Sequence, residues 1–272
     1  MYYIFYNKRA GKGDASRRTR RLYKKLSKKN NVIFEELNLE ILNERIKDLS
    51  EIDKLIIAGG DGTLHCFINT IDISSVKFRV YLLKDGSGND FARGHKGKLI
   101  DITDEIKDLP HYYINGENYK FINGVSVGIS AYICRQVNDS NHKNSYLSIT
   151  RKSFLTYKPF DLDIEIDGSI YHYPKTYFCT CQNGKYFGGG MKIAPKAKRE
   201  DEYLDVYIVH SYSKLALLLA LPLVFIGKHT ILKKKINYFR AQSIKMHAHQ
   251  TDLYGEAEGE VFEYNNELVV KR

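Results

Sequence analysis

An α/β lobe on a parallel sheet, followed by a second, mainly antiparallel β-rich lobe, is the fold class that this 272-residue chain predicts. Three observations carry the prediction. First, from Met1 to Arg93 apolar strand patterns at 54–58 and 79–83 alternate with helical patterns such as 15–29, the texture of βαβ units. Second, from Tyr112 onward short alternating strands dominate, at 113–115, 118–122, 160–166, 169–172, 177–182, 204–209 and 268–271. Third, Pro110 falls where the texture changes, and the chain is long enough for two lobes. The predicted lobes are 1–110 and 111–272, with a return of the last strand to the first lobe left open. No internal repeat or low-complexity tract interrupts them.

Within the first lobe, the apolar run Leu55-Ile56-Ile57-Ala58 meets Gly59-Gly60-Asp61-Gly62-Thr63 at one abrupt turn. Glycines let backbone N–H groups approach an anion, and a helix beginning near Thr63 adds unpaired donors and a positive dipole end. Asp61 beside such a site implies a neighbouring cation. The run lacks the lysine and spacing of a P-loop and the GxGxxG of a dinucleotide fold. Taken alone it is also compatible with a tight strand-to-helix connection. The next strand, Val80-Tyr81-Leu82-Leu83, enters Lys84-Asp85-Gly86-Ser87-Gly88-Asn89-Asp90-Phe91-Ala92-Arg93, a second polar glycine loop. In an open parallel sheet two such loops lie side by side at the carboxyl edge, where ligands bind.

GGDGTLH followed by DGSGNDFAR resembles the diacylglycerol kinase catalytic domain, shared by diacylglycerol, sphingosine and related bacterial lipid kinases within a superfamily that includes NAD kinases and phosphofructokinases. The first motif is common to that superfamily, and the Gly-Asn-Asp-Phe-Ala loop separates the lipid kinases from NAD kinases. Asp85 stands where these kinases usually have Pro, and Ser87 where Thr is commoner. The resemblance continues through Asn7 to Gly13, with Lys8 replacing Pro, and through Phe121 to Gly128. It also covers Asn183-Gly184, Gly188 to Gly190, Ala194-Pro195-Lys196-Ala197 and Asp201-Glu202-Tyr203-Leu204-Asp205, where Glu202 replaces a glycine. The C-terminal DGE motif, whose glutamate is the family's proposed general base, matches Glu258-Gly259-Glu260 or Tyr254-Gly255-Glu256.

The resemblance implies an NAD kinase-like α/β lobe, a β-sandwich second lobe and a site in the cleft between them. It implies an ATP-dependent lipid kinase with Mg²⁺, most simply converting diacylglycerol to phosphatidic acid. The glycine loop of Gly59, Gly60, Gly62 and Thr63, with Asn7 and Lys12, is expected to hold the nucleotide phosphates, and Ser87, Asn89 and Asp90 to close the nucleotide site. Asp61 is expected to organise Mg²⁺, Asp201 to join a metal site, and Glu260 to orient or deprotonate the lipid hydroxyl, with Glu256 as the alternative. A sphingoid base, another lipid alcohol, a soluble acceptor such as NAD and a non-catalytic membrane-associated role are the alternative functions. An outward-facing hairpin edge is the plain reading of the C-terminal glutamates, and a helix cap that of Asp90. His65 is given no catalytic role.

A net charge of +10 favours anionic partners, either nucleic acid or an anionic membrane. No nucleic-acid motif accompanies it, and the basic run at 17–25 reads as the solvated face of one helix. Cys66, Cys134, Cys179 and Cys181 show no CxxC pairing and read as small core residues. With no signal-peptide pattern, the expectation is a cytoplasmic protein associating peripherally with a membrane. The apolar run 215–226 is too short to span one, and Pro222 interrupts it. It predicts a pair of short buried helices, or else a lipid-contacting surface between Lys214 and Lys228.

Overall fold

In the computed structural model, residues 1–8, 15–139, 146–232, 235–250, 252–265 and 267–272 are described. They form two units, Met1–Leu109 and Pro110–Arg272. The first contains β1 (Tyr2–Tyr6), α1 (Arg17–Leu26), β2 (Val32–Glu36), α2 (Leu39–Arg45), β3 (Lys54–Gly59), α3 (Asp61–Thr70), β4 (Arg79–Lys84), α4 (Asp90–Arg93) and β5 (Leu99–Asp101). Its strand order is β2-β1-β3-β4-β5. The first four strands are parallel and β5 closes the edge antiparallel to β4. Central β3 is buried from Leu55 to Gly59, as a strand covered on both faces must be, which is why it reads as an unbroken apolar run. Helix α1 starts where the Ser16 hydroxyl accepts the Arg18 and Thr19 N–H groups. Its arginines and lysines face solvent, while Tyr23 stacks on Phe34 of β2 at 4.7 Å.

The second unit contains β6 (His111–Ile114), β7 (Glu117–Lys120), β8 (Gly124–Gly128), α5 (Ile129–Asp139), α6 (Tyr146–Thr156), β9 (Phe160–Ile166) and β10 (Ser169–Gln182). These are followed by β11 (Leu204–His210), α7 (Lys214–Phe225), β12 (Ile236–Ala241), β13 (Ser243–Ala248), β14 (Leu253–Ala257), β15 (Glu260–Tyr264) and β16 (Glu267–Lys271). The strands pair antiparallel, in the order β15-β14-β8-β10-β9-β13-β16-β6-β7, with β11 and β12 branching from β10. Strand β10 makes the branch possible. Its first half pairs with β9, the register shifts between Tyr173 and Thr176, and its second half pairs with β8 and β11. A bulge of this kind bends a strand, so one chain segment serves two layers of a sandwich.

Three details differ from the sequence reading. The separate strands at 169–172 and 177–182 are the two halves of β10. The apolar run 215–226 is one helix, α7, which continues through Pro222. The proline forgoes one backbone bond in the last turn of the helix. Nor is α7 buried as expected, because Leu215, Leu219 and Phe225 are exposed. Strand β16 pairs with β13 and β6, inside the second unit.

Strands β14 and β15 meet in a two-residue turn in which Glu258 has φ +54° and Gly259 φ +87°. Both central residues at positive φ define a type I′ turn, which matches the twist of a hairpin. Glu258 occupies this conformation because its carboxylate accepts the N–H groups of Ile122, Asn123 and Gly124 and the Asn123 side-chain amide. Replacing Glu258 with Ala strands these donors, at a cost of about 3 kcal/mol in urea denaturation. The exposed Glu260→Ala variant is expected to stay within about 0.5 kcal/mol of wild type.

Candidate active-site elements

In the first unit the two glycine loops touch. A Cβ on Gly60 would lie 2.9 Å from the Gly86 Cα, and one on Gly59 would strike the Thr63 side chain. The Asp85 N–H donates to the Gly59 carbonyl at 3.0 Å, so the loops leaving β3 and β4 run against each other. Gly60 is the N-cap of α3 and offers no side-chain acceptor to the first amides of the helix. A helix start beside a glycine loop is an anion-binding arrangement. The Asn7 side-chain amide donates to the Thr63 hydroxyl at 2.8 Å, tying the end of β1 to the same place.

Asp61 spends both carboxylate oxygens on α4, accepting the Asp90 and Phe91 N–H groups at 2.9 Å each. It therefore caps a helix in the neighbouring loop. Asn89 precedes α4 in the left-handed region at φ +52° and exchanges side-chain hydrogen bonds with the Gly86 backbone. Asp90 is 4% exposed and pairs with Arg93 at 3.1 Å. Ser87 lies at the exposed tip of this loop. Lys12 falls outside the described residues. Burial of His65 depresses its imidazole pKa to about 4, so it is neutral.

Asp85, the residue found in place of proline, was missed by sequence reasoning. Its carboxylate accepts the Ser16 hydroxyl at 2.7 Å and the Thr19 hydroxyl at 2.6 Å. It thereby fastens the start of α1 to the loop after β4. Only the Ser-x-x-Thr spacing at the mouth of a helix hinted at an incoming acceptor.

In the second unit the three C-terminal glutamates have three different environments. Glu260 opens β15 and is exposed. Glu258 is the amide clamp of the turn. Glu256 lies in β14 opposite Ser126 of β8 and has no solvent exposure. Its carboxylate accepts the Ser126 hydroxyl at 2.5 Å and the Gly259 N–H at 3.1 Å. Burial nevertheless dominates and pushes its pKa up to about 7. A carboxyl group poised near neutrality has the acidity of a general base. Asp201 pairs with Arg240 at 2.7 Å and accepts the Tyr203 N–H. Glu202 is not among the residues with positive φ, so a side chain is tolerated where relatives of this motif carry glycine. Asn123 and Asn183 join the two Asn-Gly turns, because the Asn183 and Gly184 N–H groups both donate to the Asn123 carbonyl at 2.8 Å.

The second unit also holds an apolar cavity of about 200 Å³ between α5, α6, α7 and the sheet, lined by Ile133, Phe154, Phe178, Met191, Leu217 and Leu221 among others. Ser130 and Cys134 of α5 are among its lining residues.

A glycine-loop α/β unit joined to an antiparallel unit with an apolar cavity is the architecture of a two-domain kinase, and comparison with known proteins specifies which kind. The diacylglycerol kinase catalytic domain model matches residues 1–112, and the YegS C-terminal NAD kinase beta sandwich-like domain model matches residues 123–266, more than half of the chain. The chain belongs to this lipid kinase family. "Putative lipid kinase YtlR" of Bacillus subtilis is 27% identical over 243 residues, 77% of this chain and 78% of that protein. "Probable lipid kinase YegS-like" of Shewanella frigidimarina is 26% identical over 187 residues, 64% of this chain and 60% of that protein. The crystal structure of a diacylglycerol kinase from Bacillus anthracis superposes with a TM-score of 0.68 at 20% identity, covering 100% of this chain and 94% of that one. Yeast NADH kinase shares the fold at a TM-score of 0.50 and 10% identity, covering 100% of this chain and 78% of that one.

Two outcomes are expected from these elements. Asp85→Pro removes both hydroxyl contacts and the N–H to Gly59, and should destabilise the chain by about 3 kcal/mol in chemical denaturation, with Asp85→Asn milder. Because the folded pKa of Glu256 lies above its unfolded value, the folded state holds an extra proton between them. Wild-type stability should therefore fall as pH rises from about 4.5 to about 7. The contribution of this one group is on the order of 3 kcal/mol. Glu256→Gln is expected to flatten that segment of the stability curve.

Proposed function

We propose that the protein transfers the γ-phosphoryl group of ATP to a lipid hydroxyl, with diacylglycerol as the acceptor and phosphatidic acid as the product. The apolar cavity of the second unit is the observation that favours a lipid, since its wall is almost wholly hydrocarbon and an acyl chain gains by leaving water for it. Phosphoryl transfer asks a protein for phosphate donors and a base near the acceptor. In this reading the backbone amides of Gly60, Gly62 and Thr63 hold the nucleotide phosphates together with Asn7, and Lys12, which lies outside the described residues, belongs to the same expected set. Ser87, Asn89 and Asp90 close the nucleotide site, and Asp61 keeps the two loops in register.

The base in this reading is Glu256. Glu260 is exposed on the hairpin edge, whereas Glu256 is buried and poised near neutral pH. The donor set does not form a cage for Mg²⁺. Among the described residues no three His, Cys, Asp or Glu side chains converge on one point, and Asp201 is paired with Arg240. A divalent ion would be held by nucleotide phosphates and water, which is how Mg²⁺ is commonly bound.

Peripheral docking on a membrane belongs to the same proposal. Leu215, Leu219 and Ile226 are 66%, 70% and 59% exposed, with Lys214 and Lys228 at either end of the apolar stretch. No helix among the described residues is long and apolar enough to cross a membrane.

Radiolabelled ATP with Mg²⁺ and mixed micelles of diacylglycerol, monoacylglycerol, ceramide, sphingosine or undecaprenol tests the reading. Label is expected in diacylglycerol, reduced about 10²- to 10⁴-fold by Glu256→Gln and retained by Glu260→Gln. Label in sphingosine or undecaprenol instead reassigns the acceptor within the lipids. Nucleotide binding without label in any of them overturns lipid phosphorylation.

A further inference from the structure

Glu256 is the best-placed base in the second unit, yet it does not line the cavity. Between the two stand Ser126, which is fully buried, and Ser130, which is 9% exposed and forms part of the cavity wall. Ser126 Oγ lies 2.5 Å from Glu256 Oε1 and 2.7 Å from Ser130 Oγ. We propose that Ser126 and Ser130 form a hydroxyl relay through which Glu256 takes the proton of the lipid hydroxyl. The relay rests on the lipid kinase reading above.

The direction of the relay follows from counting protons. An ionised carboxylate only accepts, and a serine hydroxyl has one proton to give. With Glu256 ionised, the Ser126 proton points at Oε1, so Ser126 can only accept from Ser130. The Ser130 proton is then committed to Ser126, and Ser130 turns lone pairs alone toward the cavity. Such a group accepts a hydrogen bond from an incoming hydroxyl and has none to offer in return. With Glu256 protonated, Oε2 still faces the Gly259 N–H, which places the acid proton on Oε1. Each hydroxyl then reverses, and Ser130 presents a donor to the cavity.

In the transfer step the lipid O–H bond breaks and its proton passes to Ser130 Oγ. The Ser130 proton moves to Ser126 and the Ser126 proton to Glu256 Oε1. The lipid oxygen bonds to the γ-phosphorus, and the bridging P–O bond breaks with its electron pair leaving on ADP. Protonated Glu256 afterwards releases its proton back along the chain.

The surroundings leave Glu256 as the group that titrates near neutrality. On α5, Cys134 is held protonated because burial and the nearby carboxylates push its thiol up, and Arg135 stacks over Tyr254. On β6, burial likewise keeps the Tyr112 phenol neutral. Strand β8 brings no titratable side chain; among the described residues, the turn brings Glu258 and β15 brings Glu260 and Glu263.

The test is the dependence of kcat on pH for the full chain with Ser130→Ala, Ser126→Ala and Ser130→Thr, using the micellar lipid that wild type labels best. Wild type should show a rising limb with its midpoint near pH 7. Ser130→Ala should lower kcat about 100-fold, with KM for ATP unchanged and the limb in place. Ser126→Ala should lower kcat similarly and move the limb to higher pH, because the hydroxyl that favours ionised Glu256 is gone. Ser130→Thr, which restores the hydroxyl, should recover activity to within about tenfold of wild type. A merely structural role would instead lower the melting temperature and leave kcat of the folded enzyme and its pH limb as in wild type. Wild-type kcat in Ser130→Ala alongside a dead Glu256→Gln would overturn the relay while sparing the kinase reading. No label in any lipid with wild type would overturn both.

Discussion

Close approach of two backbones, Gly60 against Gly86, is the constraint on which the first unit depends. It exists because neither residue carries a Cβ. Once the loops after β3 and β4 are that close, Asp61 reaches the first amides of α4 and Asp85 reaches both the Gly59 carbonyl and the hydroxyls at the start of α1. Two carboxylates thus bind four elements of the unit together by their N–H and O–H donors. Gly60, the N-cap of α3, supplies no side-chain acceptor of its own to that helix start.

In the second unit the decisive feature is the placement of one carboxylate against the grain of burial. Glu256, Glu258 and Glu260 are chemically alike, and their surroundings alone distinguish them, as paired carboxyl groups in enzymes are commonly distinguished. One is sunk between β8 and α5 with a serine and an amide, one is spent on three backbone donors, and one faces water. A buried carboxyl group near neutrality weakens the fold, and the clamp made by Glu258 two residues away offsets part of that loss.

The glycine loops were legible because chemistry and position coincide there. An apolar strand followed by Gly59-Gly60-Asp61-Gly62-Thr63 leaves few other geometries, and its recurrence after β4 locates both loops at one sheet edge. The C-terminal glutamates were not legible in the same way. Read as one continuous strand, residues 256, 258 and 260 share a face. The two-residue turn breaks that parity, because Glu260 pairs with Ala257 and Glu256 with Val261, which places the outer two glutamates on opposite faces. The relay serines were equally hidden, since their meaning depends on Ser126 lying opposite Glu256 across 130 residues of chain. The apolar stretch of α7 was read as two buried helices or a lipid-contacting surface because proline was weighted as a breaker, whereas the helix carries Pro222 in its last turn.

The cysteines described earlier as core residues divide unevenly. Cys179 and Cys181 are fully buried with thiols pushed well up by desolvation, and Cys134 is partly covered with its thiol raised too. Thiolate, the reactive form, is therefore suppressed at all three. Of the four cysteines only Cys66 is exposed, and it sits on α3 about one turn from the start of that helix. The chain thus carries one exposed cysteine, on the helix that follows its first glycine loop, where a fluorophore could be attached without any engineered cysteine.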